Sequence, residues 1–137
     1  MKILAIESSS EAVSVALMVG DECLSRHEVA PRKHAELLLP FMEDLLKQAD
    51  LSLGQLDALA FGCGPGAFTG IRIATGVIQG VAFAADLPVL PVSTLATIAQ
   101  GVKREEGKDK VIAAIDARME EIYCEFGVRT KTLSNSA

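Results

Sequence analysis

Two stretches hold the residue types that chemistry needs. From Gly62 to Gly80 the chain reads Gly-Cys-Gly-Pro-Gly-Ala-Phe-Thr-Gly-Ile-Arg-Ile-Ala-Thr-Gly-Val-Ile-Gln-Gly. Gly62, Gly64 and Gly66 around Pro65 mark a tight turn, where the backbone takes φ > 0 or approaches another group closely. Gly62-x-Gly64-x-x-Ala67 fits the loose dinucleotide fingerprint, after an apolar run and before a helical period. The ribose-binding acid expected at the end of the next strand is missing, since Val92-Ser93-Thr94 stands there. The P-loop form fails, because no Lys-Ser or Lys-Thr follows the glycines. In the second stretch, Glu7-Ser8-Ser9-Ser10, a carboxylate and three hydroxyls share one turn. Backbone N–H groups and hydroxyls of such a turn can cradle phosphate, while the carboxylate holds magnesium through water. Asp116 offers a second carboxylate, and Asp116-Ala117-Arg118 reads as an ion pair, a ligand contact or a solvent-facing turn. The plain alternative for Glu7 to Ser10 is a capped hairpin with exposed hydroxyls.

Metal hydrolysis has little to work with. The two histidines, His27 and His34, form no His-x-x-x-His or His-Glu-x-x-His pattern. Cys23, Cys63 and Cys124 are odd in number and widely spaced, which argues against a disulfide framework or zinc site and for a reducing compartment. Cys63 sits in the glycine turn and reads either as a reactive thiol or, since no neighbouring His or Lys is evident to activate it, as a small filler residue. We expect no metal and no cofactor. A net charge of −5 speaks against autonomous nucleic-acid binding. Lys103, Arg104, Lys108 and Lys110 do cluster, but Glu105, Glu106 and Asp109 are interleaved, as on a solvated helix end. Half of the 137 residues are apolar, yet no apolar run reaches the roughly 18–20 residues of a membrane span. The opening Met1 to Ile6 is too short for a signal peptide. The expectation is a cytoplasmic protein.

The elements that must position these residues follow from pattern. Ile3 to Ile6, the alternating Val13, Val15, Leu17 and Val19, and Cys23 to Val29 read as an antiparallel meander closed by Gly20-Asp21. Pro31 to Ala49 has a helical pattern, with Leu38, Met42, Leu45 and Ala49 on one stripe and Leu37, Phe41 and Leu45 on the next. Leu39 and Leu46 widen that apolar arc beyond what one buried face requires. Pro40 should kink this helix or start it anew. After a loop at 50–55 and a strand at 56–62 comes a helix over 68–85, with Thr69 the better N-cap by chemistry. Its Gly76, Gly80 and Ala84 recur every four residues, and Gly70 and Ala74 make a second small pair. A helix-interior glycine costs roughly 1 kcal/mol against alanine, so close approach of another backbone should compensate. A strand at 87–92, a helix from about 95 to 106 capped by Ser93 or Thr94, and strands at 110–116 and 121–126 complete the order.

Ile3-Leu4-Ala5-Ile6-Glu7 and Glu11-Ala12-Val13 echo Ile112-Ala113-Ala114-Ile115-Asp116 and Glu120-Glu121-Ile122 at a constant offset. A repeat at this distance suggests duplicated lobes, not a solenoid. The expected domains are a complete first lobe over 1–108, the opening hairpin of a truncated second lobe over 109–127, and a mobile tail over 128–137. Such a hairpin cannot bury a core of its own, so it must lean on the first lobe or another chain.

Ile3-Leu-Ala-Ile-Glu-Ser, Gly64-Pro-Gly-Ala-Phe-Thr-Gly-Ile-Arg-Ile, Val92-Ser-Thr-Leu and Ile115-Asp-Ala-Arg-Met-x-Glu-Ile-Tyr123 together resemble the TsaB (YeaZ) family. The resemblance covers nearly all of residues 1–127 and implies an α/β fold. That fold is an actin-like/Hsp70-like ATPase (ribonuclease H-like) lobe: a mixed five-stranded sheet with helices on both faces, plus the first hairpin of a second lobe. It implies a non-catalytic subunit that binds the TsaD-type catalytic subunit making N6-threonylcarbamoyladenosine at position 37 of tRNA. A TsaE-type ATPase acts through the same complex, a TsaC-type enzyme supplies the threonylcarbamoyl-adenylate, and tRNA is met only indirectly. The first two helices of each subunit are expected to meet as a bundle. A protease reading is rejected, because the histidine ligands of the catalytic relative are absent.

On this reading the partner interface draws on Leu37, Phe41, Leu45, Ile71, Thr75, Gly76, Ile78, Gly80 and Ala82. Without a partner the same helices should pair as a homodimer. Glu7, Ser8 and Asp116 are vestigial cofactor-binding candidates. The alternative is an actin-like nucleotide hydrolase that uses the Glu7/Ser8 hairpin and Asp116.

Overall fold

Apolar alternation in the first two strands decides which side of the sheet is dry. The computed structural model describes residues 1–126. Strands β1 (Lys2–Glu7), β2 (Ala12–Val19) and β3 (Glu22–Val29) form the meander, followed by helix α1 (His34–Gln48) and a 3-10 turn at Leu53–Gln55. Strand β4 (Ala58–Gly64), helix α2 (Phe68–Ala85), strand β5 (Val89–Ser93) and helix α3 (Thr94–Glu106) come next, then the hairpin β6 (Ile112–Arg118) and β7 (Glu121–Phe126). The five-stranded sheet runs β3-β2-β1-β4-β5, with β1 and β4 parallel, β4 and β5 parallel, and the meander antiparallel. The expected tail over 128–137 lies outside the described residues.

Leu4 sits between Leu17 and Leu59 in the ladder. With Ile6, Val13 and Val15 they make an apolar face that α1 covers with Leu38, Met42 and Leu45, and α2 with Ala74 and Ile78. Each fully buried Leu, Ile or Val contributes about 1.5–3 kcal/mol, so this face is the main stabilising layer. On the opposite face α3 lies at the β4–β5 end, where Thr97 borders a shallow pocket of about 160 Å³ with Ala5, Ala16, Ala60 and Val92. Leu95 and Ala99 of α3 also pack on Ala113, Val111 and Ile115, so the β6–β7 hairpin leans on α3 through a small shared cluster.

Several local expectations need correcting. α1 starts at His34, not Pro31, and continues through Pro40 as one helix. Pro40 is on the exposed side, where water can satisfy the carbonyl its missing N–H leaves free. The N-cap of α2 is Ala67, with no side-chain cap, and Thr69 lies inside the first turn. Ser93 does cap α3, accepting from the Ala96 N–H. β4 extends into the glycine turn and bulges between Gly62 and Gly64. The turn of the last hairpin is tighter than expected: Met119 and Glu120 alone connect Arg118 to its pair Glu121, both with φ > 0, as a two-residue turn of matching twist requires. Finally, α2 is long and apolar enough to cross a membrane by length and composition, contrary to the run-length reading above. Here one of its faces packs on the sheet.

Candidate functional site

Two regions collect the residues singled out by sequence. The first is a cleft of about 880 Å³ between the first sheet's glycine turn and the last hairpin. Glu7, Ser9 and Ser10 line it from the β1–β2 turn, Pro65 to Thr69 from the start of α2, Thr94 and Thr97 from α3, and Asp116, Arg118 and Tyr123 from the hairpin. The fold thus brings Glu7 and Asp116 to one cleft from positions far apart in sequence.

The turn's polar groups are largely committed within the chain. Ser8 is fully buried, and its hydroxyl donates to the Gly70 carbonyl at 2.8 Å. That corrects its candidacy as a phosphate contact, because the hydroxyl points under α2 and not into the cleft. Glu7 accepts from the Ser9 N–H at 2.6 Å and lies so close to Gly62 that a Cβ there would sit 1.8 Å from its Oε2. A Cβ on Gly70 would sit 1.8 Å from the Ser8 carbonyl oxygen, and one on Gly66 2.6 Å from the Ser9 Cβ. The close backbone approach expected of the small residues is therefore met inside the chain at Gly70. Asp116 accepts from the Arg118 backbone N–H at 2.7 Å, so the pair makes a turn contact. Thr94 Oγ1 is buried without a partner at the cleft wall. Among the described residues no group of three or more His, Cys, Asp or Glu is placed to hold a metal ion.

The second region is the outer surface of α1 and α2. Of the nine interface candidates, Leu45 and Ile78 are fully enclosed in the core, and Ala82 is 9% exposed. They are corrected to core residues: on each helix they occupy the stripe that meets the sheet. Leu37, Phe41, Ile71 and Thr75 are half-buried at the border, and the Thr75 hydroxyl turns back to the Ile71 carbonyl. Gly76 and Gly80 face outward, and a Cβ on either would meet nothing within 4 Å. The glycines thus divide by face: Gly70 serves the chain's own turn, while Gly76 and Gly80 face open space. Only Gly70, Ala74, Ile78 and Ala82 of the 18 residues of α2 are buried.

Two exposed aromatic side chains of α2, and Leu39 from the widened apolar arc of α1, stand outside the nine candidates. Phe83 is 93% exposed, Phe68 is 72% exposed beneath the Arg72 guanidinium, and Leu39 is 46% exposed on α1. Phe83 stands three residues after Gly80, a spacing that places it on the same helix face, so that signal was available. Nothing in the sequence joined Thr94 and Thr97 to the Ser9 turn, since elements distant in the chain bring them together.

A family model described as TsaD, tRNA N6-adenosine threonylcarbamoyltransferase, matches residues 24–136. A Haemophilus influenzae protein named tRNA threonylcarbamoyladenosine biosynthesis protein TsaB is 46% identical over 98% of this chain and 57% of its own length. The Escherichia coli protein of the same name is 49% identical over 90% of this chain and 53% of its own length. The solved structure of YeaZ from Pseudomonas aeruginosa superimposes with a TM-score of 0.86 at 55% identity, covering 91% of this chain and 60% of that one. The chain therefore spans a little over half the length of the curated relatives it matches. That superposition also carries the fold, an α/β lobe with a mixed five-stranded sheet. The curated relatives and the solved structure carry the TsaB and YeaZ names, the TsaD family model is consistent with them, and the chain belongs to the TsaB/YeaZ family.

Proposed function

We propose that this chain is a partner-binding subunit without an active site of its own. It docks on the TsaD-type catalytic subunit that makes N6-threonylcarbamoyladenosine at position 37 of tRNA. The observation that carries this reading is the outward face of α2, where Gly76 and Gly80 leave open space beside the exposed Phe83. An apolar helix with only one stripe buried leaves surface that a second protein can cover. Glycines in its middle weaken the free helix and let another helix come close. The border residues Leu37, Phe41, Ile71 and Thr75 would frame the contact, while Leu45, Ile78 and Ala82 support it from within. On this reading a TsaE-type ATPase joins through the complex, tRNA contacts this subunit only indirectly, and the chain works in the cytoplasm. The β6–β7 hairpin is the opening of a second lobe that repeats the first from Ile112 onward. Alone, the chain pairs with itself through the same helices.

A nucleotide-hydrolase reading has one observation in its favour, since Glu7 and Asp116 share a cleft. Against it stands the Ser8 hydroxyl, committed to Gly70. Co-expression with a TsaD-type subunit separates the two. We expect the pair to co-purify, and the chain alone to give no heat on titration with ATP and magnesium. A chain that ignores the TsaD-type subunit yet binds ATP at micromolar concentration would reverse the assignment.

A further inference from the structure

The turn that the cleft chemistry would have used is tied on its other side to both helices of the proposed docking face. Three successive residues hold the two helix starts. The Ser8 hydroxyl donates to the Gly70 carbonyl in the first turn of α2. The Ser9 carbonyl accepts from the N–H of Ala67, the N-cap of α2, at 2.7 Å. The Ser10 carbonyl accepts from His34 Nε2 at 2.6 Å, and His34 is the first residue of α1. Because a carbonyl only accepts, Nε2 carries the proton in this contact.

These bonds also answer a local need. The first N–H groups of a helix have no partner inside it, and neither α1 nor α2 has a side-chain N-cap. For α2 the turn supplies that partner. The fit leaves no slack, because a Cβ on Gly70 or Gly66 would collide with Ser8 or Ser9. Ser8 is itself completely buried, so nothing docking from outside reaches it.

We infer that the Glu7–Ser10 turn is the fastener that sets α1 against α2, which makes Ser8 a positioning residue for partner docking that no partner touches. The inference rests on the docking role proposed for these helices. Packing along their length fixes how the helices lie on the sheet, while the turn fixes their starts relative to each other. A docking face held this way is ordered before the partner arrives, so less ordering opposes association.

The test uses the whole chain with Ser8→Ala, and Leu17→Val in the sheet core as a control. Leu17 is fully buried on β2, away from the turn. At matched loss of Tm, Ser8→Ala should speed amide exchange at Ala67 and in the first turns of both helices about tenfold more than the control. It should also weaken binding of the TsaD-type subunit by about tenfold. His34→Ala should loosen the start of α1 and leave α2 unchanged. Exchange in those turns that is no faster than in the control, or Ser8→Ala binding as tightly as the control, overturns the fastener. If the unmodified chain fails to bind the TsaD-type subunit, the docking role falls, and the exchange pattern alone still decides whether the turn fastens the helices.

Discussion

Gly76 and Gly80 allow a prediction whose sign differs between the free chain and the complex. Both lie inside α2 on its exposed face, and an added Cβ meets no heavy atom within 4 Å. Nothing in the free chain opposes a methyl group there, so only backbone entropy and helix propensity count. Each Gly→Ala change then stabilises by about 0.8–1 kcal/mol. The pair Gly76→Ala and Gly80→Ala together add about 2 kcal/mol when the two propensity terms are summed. For a domain of this size that raises Tm by about 7 °C. Gly70→Ala behaves oppositely, because its Cβ would sit 1.8 Å from the Ser8 carbonyl oxygen. A backbone atom cannot swing away, and overpacking of this kind costs about 1–3 kcal/mol or more. If a second helix lies against these glycines, the stabilised double variant should bind its partner more weakly, and Gly76→Leu or Gly80→Leu should abolish pairing. Thermal melts of dilute protein read the first effect, and light scattering with partner pull-down reads the second. A double variant that melts no higher than the parent refutes the claim that this face is free in the isolated chain. One that melts higher yet pairs undiminished places the contact away from the glycines.

Two further predictions follow from burial. Leu45 is fully enclosed and Leu37 only half-buried, so Leu45→Ala should cost about 2–5 kcal/mol in urea unfolding and Leu37→Ala about 1 kcal/mol. Equal losses would contradict the division of α1 into a core stripe and a border stripe. Cys23, Cys63 and Cys124 are free and exposed, so all three should react with a thiol reagent in native buffer. A thiol that waits for denaturant would put that residue elsewhere.

Much of the architecture was legible because it is local. Alternation in Val13 to Val19 announces a strand with one dry face, and helix 68–85 and strand 121–126 were read with the bounds observed. Ser93 was readable as a cap because capping needs only a side chain and an N–H three residues on. Pro40 does not start the helix anew, since whether a missing hydrogen bond breaks a helix depends on water reaching the orphaned carbonyl, which is a matter of exposure. The nine interface candidates all lie on α1 and α2 but mix inner and outer faces. Period reveals that a helix has sides and leaves open what each side meets.

The sequence by itself therefore determined the elements, their order, the repeated strand–acid pattern and the family, because propensity, period and motif act within a few residues or are carried by residue identity. Only the tertiary structure decided that Gly70 meets its own chain while Gly76 and Gly80 meet none of it, and that the Ser8 hydroxyl is spent on a carbonyl 62 residues away. It also gathered Glu7, Thr94 and Asp116 around one cleft. Such contacts arise when distant segments are packed together by the burial of a shared core, and no short-range rule specifies which groups then become neighbours.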